Sequence, residues 1–310
     1  DEKNSEFIAM ESKTFLRDVW DRYKKNKLAM IGLIFLVIMV VMAIFVPILS
    51  KYGFEDQNIT LKNAMPSLDH PFGTDKLGRD IFVRVMYGGR ISLSIAFASA
   101  FICLIIGVLY GGIAGYVGGK VDMVMMRIVD IIYTVPDVLL IVLLSFALKD
   151  PLNNLANAPG FKWVQTVGTN LISIFIVFAL LYWVGMARMV RSQILMLKES
   201  EYVTAARALG ASSARIIKKH LLTNCIGTLI VTTTLQIPSS IFTESFLSFL
   251  GLGVAVPMPS LGSLASDAIN GLNTYPYLLF IPAAVISLII LSFNLLGDGL
   301  RDAFDPKLKN

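Results

Sequence analysis

The sequence predicts an all-α membrane protein whose chain crosses a bilayer six times. Three observations carry this. Of 310 residues, 27 are Lys or Arg and 22 are Asp or Glu, so 16% are charged, against about 25% in a soluble domain. The apolar share is 55% and the mean hydropathy is +0.69, which leaves too few charges to cover a water-facing surface. Six segments stay apolar over the ~20 residues that a helix needs to cross a hydrocarbon core of roughly 30 Å. Disorder, collagen-like fibre and a disulfide scaffold are excluded by the same composition.

The elements follow in chain order. Residues 1–27 form a basic leading segment. Span one, 28–49, carries no charge; it is too long for the apolar core of a cleaved leader and more spans follow it. Residues 51–90 connect it to span two, 91–115, which lies in a charge-free stretch between Arg90 and Lys120. Span three, 128–148, holds Asp130 and Asp137; span four is 168–187. Residues 188–220 form a basic connection to span five, 221–244, and span six is 275–296. Residues 28–310 therefore read as one transmembrane domain.

Basic residues orient it. With the N-terminus inside, 19 of the 27 Lys and Arg fall on the inner side and 8 on the outer, the asymmetry of cytoplasmic loops. Both termini are expected in the cytoplasm. The net charge of +5 then marks a membrane face, and no nucleic-acid partner is expected. Cys103 and Cys225 sit in apolar runs and imply no disulfide framework. His70 and His220 are far apart, so no metal site is expected. The connections 51–90 and 188–220 are too short for a soluble catalytic domain. The chain reads as a non-enzyme, and chemistry that needs a large aqueous domain must come from another chain.

The strongest local pattern lies in the inner connection, where residues 201–224 read EYVTAARALGASSARIIKKHLLTN. Tyr202, Ala205, Ala206 and Leu209 follow i, i+3, i+4, i+7 and share one helical face. Two of the four are Ala, so the face is shallow and another surface can come close. Gly210 breaks the helix, and a second basic helix with Arg215, Lys218 and Lys219 is expected after it. From pattern alone, two readings stand: a knob that docks on a partner, and a basic amphipathic loop lying on anionic membrane lipid.

This stretch resembles the EAA loop of ABC importer permeases, whose pattern is Glu-Ala-Ala, three residues, Gly, nine residues, Ile, any residue, Leu-Pro. Ala205, Ala206, Gly210 and Leu222 match in register, whereas Thr204, His220 and Thr223 depart from it. The wording around the departures resembles the oligopeptide/dipeptide (OppC/DppC-like) subgroup. The resemblance implies the type I ABC importer permease fold and a coupling helix seated in a groove of an ATPase subunit. Glu201, Tyr202, Ala205, Ala206, Arg207, Leu209, Gly210 and Arg215 are the coupling candidates. In that role the alanines permit close packing, Gly210 sets the turn, and Arg207 and Arg215 pair with acidic groove residues.

The outer connection contains HPFGTDKLGRDIFVR at 70–84 and GGRISL at 88–93. Residues 73–80 approach a P-loop but lack its Lys-Ser/Thr pair, so phosphate binding is rejected. The plain reading is a turn-rich loop with local Asp–Arg pairs. The block also resembles the C-type permease of peptide importers, and contact with an external receptor is the hypothesis for Phe72, Gly73, Thr74, Asp75, Gly78, Arg79 and Asp80. The tail 297–306 resembles the end of the same subgroup.

Within the bilayer, Gly107, Gly111, Gly115 and Gly119 recur every four residues and predict close helix packing. Span five carries Thr232, Gln236, Ser240, Thr243 and Glu244 around Pro238. This stripe either lines a path or satisfies its own helix backbone, and Glu244 is expected near the outer interface. Arg127 and Asp130 are spaced to pair. Asp137, deeper in span three, must pair, face water or be protonated. The translocation-path candidates are Asp137, Thr232, Gln236, Ser240 and Glu244.

The resemblance implies the permease subunit of an ATP-driven peptide importer, forming half of a pore in a bacterial cytoplasmic membrane. Its implied partners are a paralogous second permease, two ABC ATPase subunits that hold ATP and Mg, and an extracytoplasmic peptide-binding receptor. This chain itself would carry no cofactor. The alternatives are a secondary transporter working without ATPase partners, an intramembrane enzyme, and a permease of the same subgroup for nickel or another small solute.

Overall fold

The computed structural model of the chain describes residues 15–254 and 257–305. The part of the leading segment before residue 15 and the end of the tail, 306–310, lie outside the described residues. Helix α1 (Phe15–Tyr23) leads into α2 (Lys27–Leu49), which Asn26 caps by accepting the Ala29 N–H at 3.1 Å. Along α2, Ala29, Gly32, Leu36, Met39 and Ala43 are buried as one stripe at alternating three- and four-residue spacing. Ile31, Ile34, Ile38, Val41 and Phe45 on the other side are exposed. An apolar helix with a bare apolar face is solvated by lipid rather than water.

After a connection holding one 3-10 turn (Ile59–Leu61) comes α3 (Ile81–Val117). Its 37 residues make it about 55 Å long, and it starts ten residues before the expected 91. Asp80 sets that start, its carboxylate accepting the Val83 N–H at 2.8 Å, so Arg84 and Arg90 ride on the helix. Gly118, at φ +70°, ends it.

The expected span 128–148 is two helices, α4 (Gly119–Thr134) and α5 (Asp137–Asn157). Pro136 separates them: it has no N–H to give, and it forces Val135 into an extended conformation (φ −88°, ψ 134°). Short α6 (Lys162–Val167) is followed by α7 (Thr169–Leu181) and α8 (Trp183–Leu197), joined end to end at Tyr182. This span therefore runs ten residues past the predicted end at 187. Next come α9 (Glu201–Ala208), α10 (Ser213–Arg215), a π-helical turn (Ile216–Leu221) and α11 (Leu222–Phe249). Arg215, Lys218 and Lys219 thus sit on the opening turns of the fifth span, not on a separate second helix. Helix α12 (Leu261–Ala268), a 3-10 turn (Ile269–Gly271) and α13 (Tyr277–Phe304) complete the chain. Six helical stretches are long and apolar enough to cross a membrane: Lys27–Leu49, Ile81–Val117, Asp137–Asn157, Thr169–Leu197, Ser213–Phe249 and Tyr277–Phe304.

The glycine ridge seats α3 on α8. A β-carbon would lie 2.5 Å from Met186 Cβ at Gly107, 2.3 Å from the Ala187 carbonyl oxygen at Gly111, and 2.9 Å from the Arg191 carbonyl oxygen at Gly115. Small side chains let the two backbones approach, which substitutes in lipid for the missing hydrophobic drive. Gly119 is not part of the ridge; it begins α4 at φ +57°. Leu36, Met39, Val85, Ile241, Ile289 and Phe293 form a core shared by α2, α3, α11 and α13. A second core joins Ile95, Ile141, Ile174, Phe178 and Leu247.

Two ion pairs tie α4 to α8. Asp122 takes two hydrogen bonds from Arg191, at 2.8 and 2.6 Å. Asp130 accepts from Arg188 Nη2 at 2.7 Å, so the expected Arg127–Asp130 pair gives way to a partner on the neighbouring helix. Arg188 also stands 4.3 Å over the Tyr133 ring.

Candidate functional site

Three of the predicted constellations have definite geometry. The first is a foot at the end of the bundle shared by α1 and the C-terminus of α13. Helix α9 opens with Glu201 and closes with Arg207, charges that suit the ends of a helix dipole. The Gly210 N–H donates to the Arg207 carbonyl at 3.0 Å and the Ala211 N–H to the Ala206 carbonyl at 3.0 Å. With Gly210 at φ +80° this is a Schellman stop, a conformation in which glycine carries no steric cost. A β-carbon there would meet nothing within 4 Å, so the glycine answers to the backbone angle and not to crowding.

Val203 anchors the foot. It is fully buried among Met186, Val190, Ile194, Ile216 and Leu221. The sequence reading missed it, because it lies off the face that its i, i+4 pattern picked out. Tyr202, Ala205 and Leu209 face outward with Ala206 half-buried beside them, and Leu209 is 88% exposed. Tyr202 is steadied by Asn224, whose Nδ2 donates to its hydroxyl at 3.3 Å. Arg207 and Arg215 are exposed.

The second is an open cleft of about 580 Å³ on the side of the bundle, at the break between α4 and α5. Asp137, Thr134, Tyr182, Gln236 and Ser239 supply its polar lining. Asp137 starts α5, accepts the N–H of Val138 at 2.8 Å, and forms no ion pair among the described residues. Tyr182 bonds through its hydroxyl to Thr243. Gln236, Ser239 and Thr243 follow i, i+3, i+7 and so share the face of α11 that borders this space.

The predicted polar stripe divides here. Gln236 joins Asp137 at the cleft, and Thr232 is half-buried further along α11. Ser240 and Glu244 turn into the packing and are completely buried. Glu244 is enclosed by protein rather than exposed, because α12 packs over this end of α11. Its carboxylate accepts from Ser92 Oγ at 2.6 Å and Ser248 Oγ at 2.7 Å. Tyr182 and Ser239 were not singled out from sequence; Ser239 directly follows Pro238, whereas nothing local marks Tyr182.

The third is the 70–80 block, which is a folded knot. Thr74 is fully buried, exchanging backbone and side-chain hydrogen bonds with Ala64 at 3.0 and 2.9 Å. Asp75 accepts from the N–H groups of Leu77 and Arg79 and from Arg79 Nε, the last at 2.7 Å. Asp80 caps α3 and meets His70 Nδ1 at 2.6 Å. Gly78, at φ +72°, has Asn58 so close that a β-carbon would lie 1.8 Å from its carbonyl oxygen. Gly73, Thr74, Gly78 and Asp80 are buried, and Phe72, Asp75 and Arg79 are half-buried. Local Asp–Arg pairing is what holds the segment, and among the described residues its exposed side chains include Lys76, Met65 and Leu68.

Six apolar spans, a polar cleft at a broken helix and a capped foot outside the bundle are the features of a multi-pass membrane protein. Comparisons with known proteins specify it. Residues 107–310 match the family described as binding-protein-dependent transport system inner membrane component, and residues 14–66 match the N-terminal TM domain of oligopeptide transport permease C. The oligopeptide transport system permease protein OppC of Bacillus subtilis (strain 168) is 44% identical over 306 residues, covering 99% of this chain and 94% of that protein. The dipeptide transport system permease protein DppC of the same organism is 45% identical over 311 residues, covering 99% and 91%. A solved structure of the MetNI methionine ABC transporter in inward-facing conformations superposes with a TM-score of 0.55 at 18% identity, over 73% of this chain and 98% of that one. That likeness concerns the fold alone. The chain belongs to the binding-protein-dependent inner-membrane permease family, in its OppC/DppC branch, and a secondary transporter is not favoured.

Proposed function

We propose that this chain forms one half of the translocation pore of an ATP-driven peptide importer in a bacterial cytoplasmic membrane, with both termini in the cytoplasm. A paralogous permease supplies the other half. Two ATPase subunits bind ATP and Mg, and an extracytoplasmic receptor delivers the peptide. The basic asymmetry of the connections supports the orientation, and the names of the relatives support the cargo.

The observation that carries the reading is the foot. Leu209 leaves most of its surface bare beside Ala205, on a helix held to the bundle by Val203 and stopped by Gly210. A small convex apolar face on a rigid mount fits a groove on a partner. Closure of the ATPase pair would drag the foot, and α8 and α11, which flank it, would pass the movement to the cleft. There Asp137 offers a carboxylate to the ammonium group of a peptide. The 70–80 knot holds the outer surface in shape, and its exposed neighbours Lys76, Met65 and Leu68 meet the receptor.

The test is the reconstituted importer with Gly210→Val. A β-branched residue at φ +80° strains the stop, so peptide-stimulated ATP hydrolysis and transport should separate: transport falls at least tenfold while the chain still inserts. Full transport by this variant would end the proposal.

A further inference from the structure

At the end of the bundle that carries residues 51–80, a cavity of about 370 Å³ opens between that segment, α12 and α13. Arg84 lines it, with its side chain only 4% exposed. A guanidinium has five N–H donors. Here Nη1 donates to the Phe54 carbonyl at 3.2 Å, and Nε has no hydrogen-bond partner. The two nearest carboxylates stand off: Asp75 Oδ2 is 3.7 Å from Nε and Asp267 Oδ2 is 4.0 Å from Nη2, both beyond hydrogen-bond reach. Asp75 is already engaged by Arg79. Lys62 and Lys76 line the same cavity, are exposed, and form no ion pair among the described residues.

A buried guanidinium without matched acceptors is costly, and a planar fork is best matched by two oxygens on one carbon. We propose that this cavity is a carboxylate-binding site, with Arg84 as its fork and Lys62 and Lys76 as its rim. The space is open to the outside, so a carboxylate can reach Arg84 from solvent or from a partner. The carboxylate is either that of an Asp or Glu side chain or that of a chain end. Asp267, half-exposed at the cavity, competes with the ligand for Arg84. The proposal stands independently of the cargo and of the coupling foot.

The experiment uses the complex purified in lipid nanodiscs and two probes, N-acetylglutamic acid α-amide for a side-chain carboxylate and N-acetylalanine for a terminal one. Binding is read by saturation-transfer NMR, with N-acetylalanine amide, which has no carboxylate, as control. One or both probes should bind saturably, and the tighter one identifies the source. Asp267→Asn should tighten binding about fivefold and Lys76→Gln should weaken it about threefold; Arg84→Gln should abolish it. The two surface variants keep the test sharp if Arg84→Gln fails to fold. A response no greater than that of N-acetylalanine amide, or an affinity indifferent to Asp267→Asn, overturns the proposal.

Discussion

Gly111 and Ala187 bring two backbones together: a β-carbon on the glycine would sit 2.3 Å from the alanine's carbonyl oxygen. No side-chain movement can relieve that clash, so α3 and α8 must part to admit any larger residue. Gly111→Val should destabilise the chain by about 1–3 kcal/mol, seen as a lower melting temperature in detergent. Gly185→Ala, where a β-carbon meets nothing, should leave the melting temperature unchanged or slightly raised. Equal effects of the two substitutions would remove the close approach as the reason for the ridge.

Asp122 and Arg191 predict a pH dependence. The hydrogen bond from Arg191 holds the Asp122 carboxyl below the ordinary aspartate range. A depressed pKa in the folded state adds stability above the unfolded value of about 4, and this is lost as pH falls through the folded value. Thermal melts of the wild type and Asp122→Asn should therefore differ at neutral pH and converge below about pH 4. The gap should be small, because Arg191 is partly exposed. A gap that persists unchanged into acid would be inconsistent with the pair as its source.

Glu244 binds α3 to α11 through Ser92 and Ser248. Removing the carboxyl strands two buried hydroxyls, at a cost of roughly 1–3 kcal/mol. Glu244→Leu should lower the melting temperature more than Glu244→Gln, which keeps hydrogen-bonding atoms in place. The reverse order would show that shape, not hydrogen bonding, sets the site.

Asp137 is the acidic group that lines the cleft at the α4–α5 break. Asp137→Asn should reduce transport of peptides with a free amino terminus about tenfold and leave N-acetylated peptides unaffected, since one charge pair near a protein surface is worth around 1–2 kcal/mol. Uptake assays in vesicles separate the two substrates, and full-rate uptake of both would remove Asp137 from the path.

The six spans were legible because bilayer thickness fixes a run length that hydropathy reads directly. Helix ends were less so. Asp80 extends α3 by ten residues through a cap, and the basic residues 188 and 191 extend α8 because they find Asp130 and Asp122 on α4. The Pro136 break was present in the sequence, yet a 21-residue apolar window bridged it. The Ala205–Gly210 pattern gave the shape of the foot, since the left-handed stop needs glycine. Its anchor Val203 was not visible, because burial there depends on Ile194 of α8 and on Ile216 and Leu221 of the π-helical turn. Likewise the turn of Glu244 into the packing depends on Ser92, more than 150 residues away, which no local spacing encodes.

Cross-linking from the foot tests the coupling reading most directly. Cys103 and Cys225 are buried, so Leu209→Cys places one accessible thiol at the tip. With a short bifunctional reagent in the assembled importer, that thiol should be captured by an ATPase subunit, and the yield should change when ATP binds. Labelling by lipid-borne reagent alone, with no ATPase adduct in either nucleotide state, would contradict it.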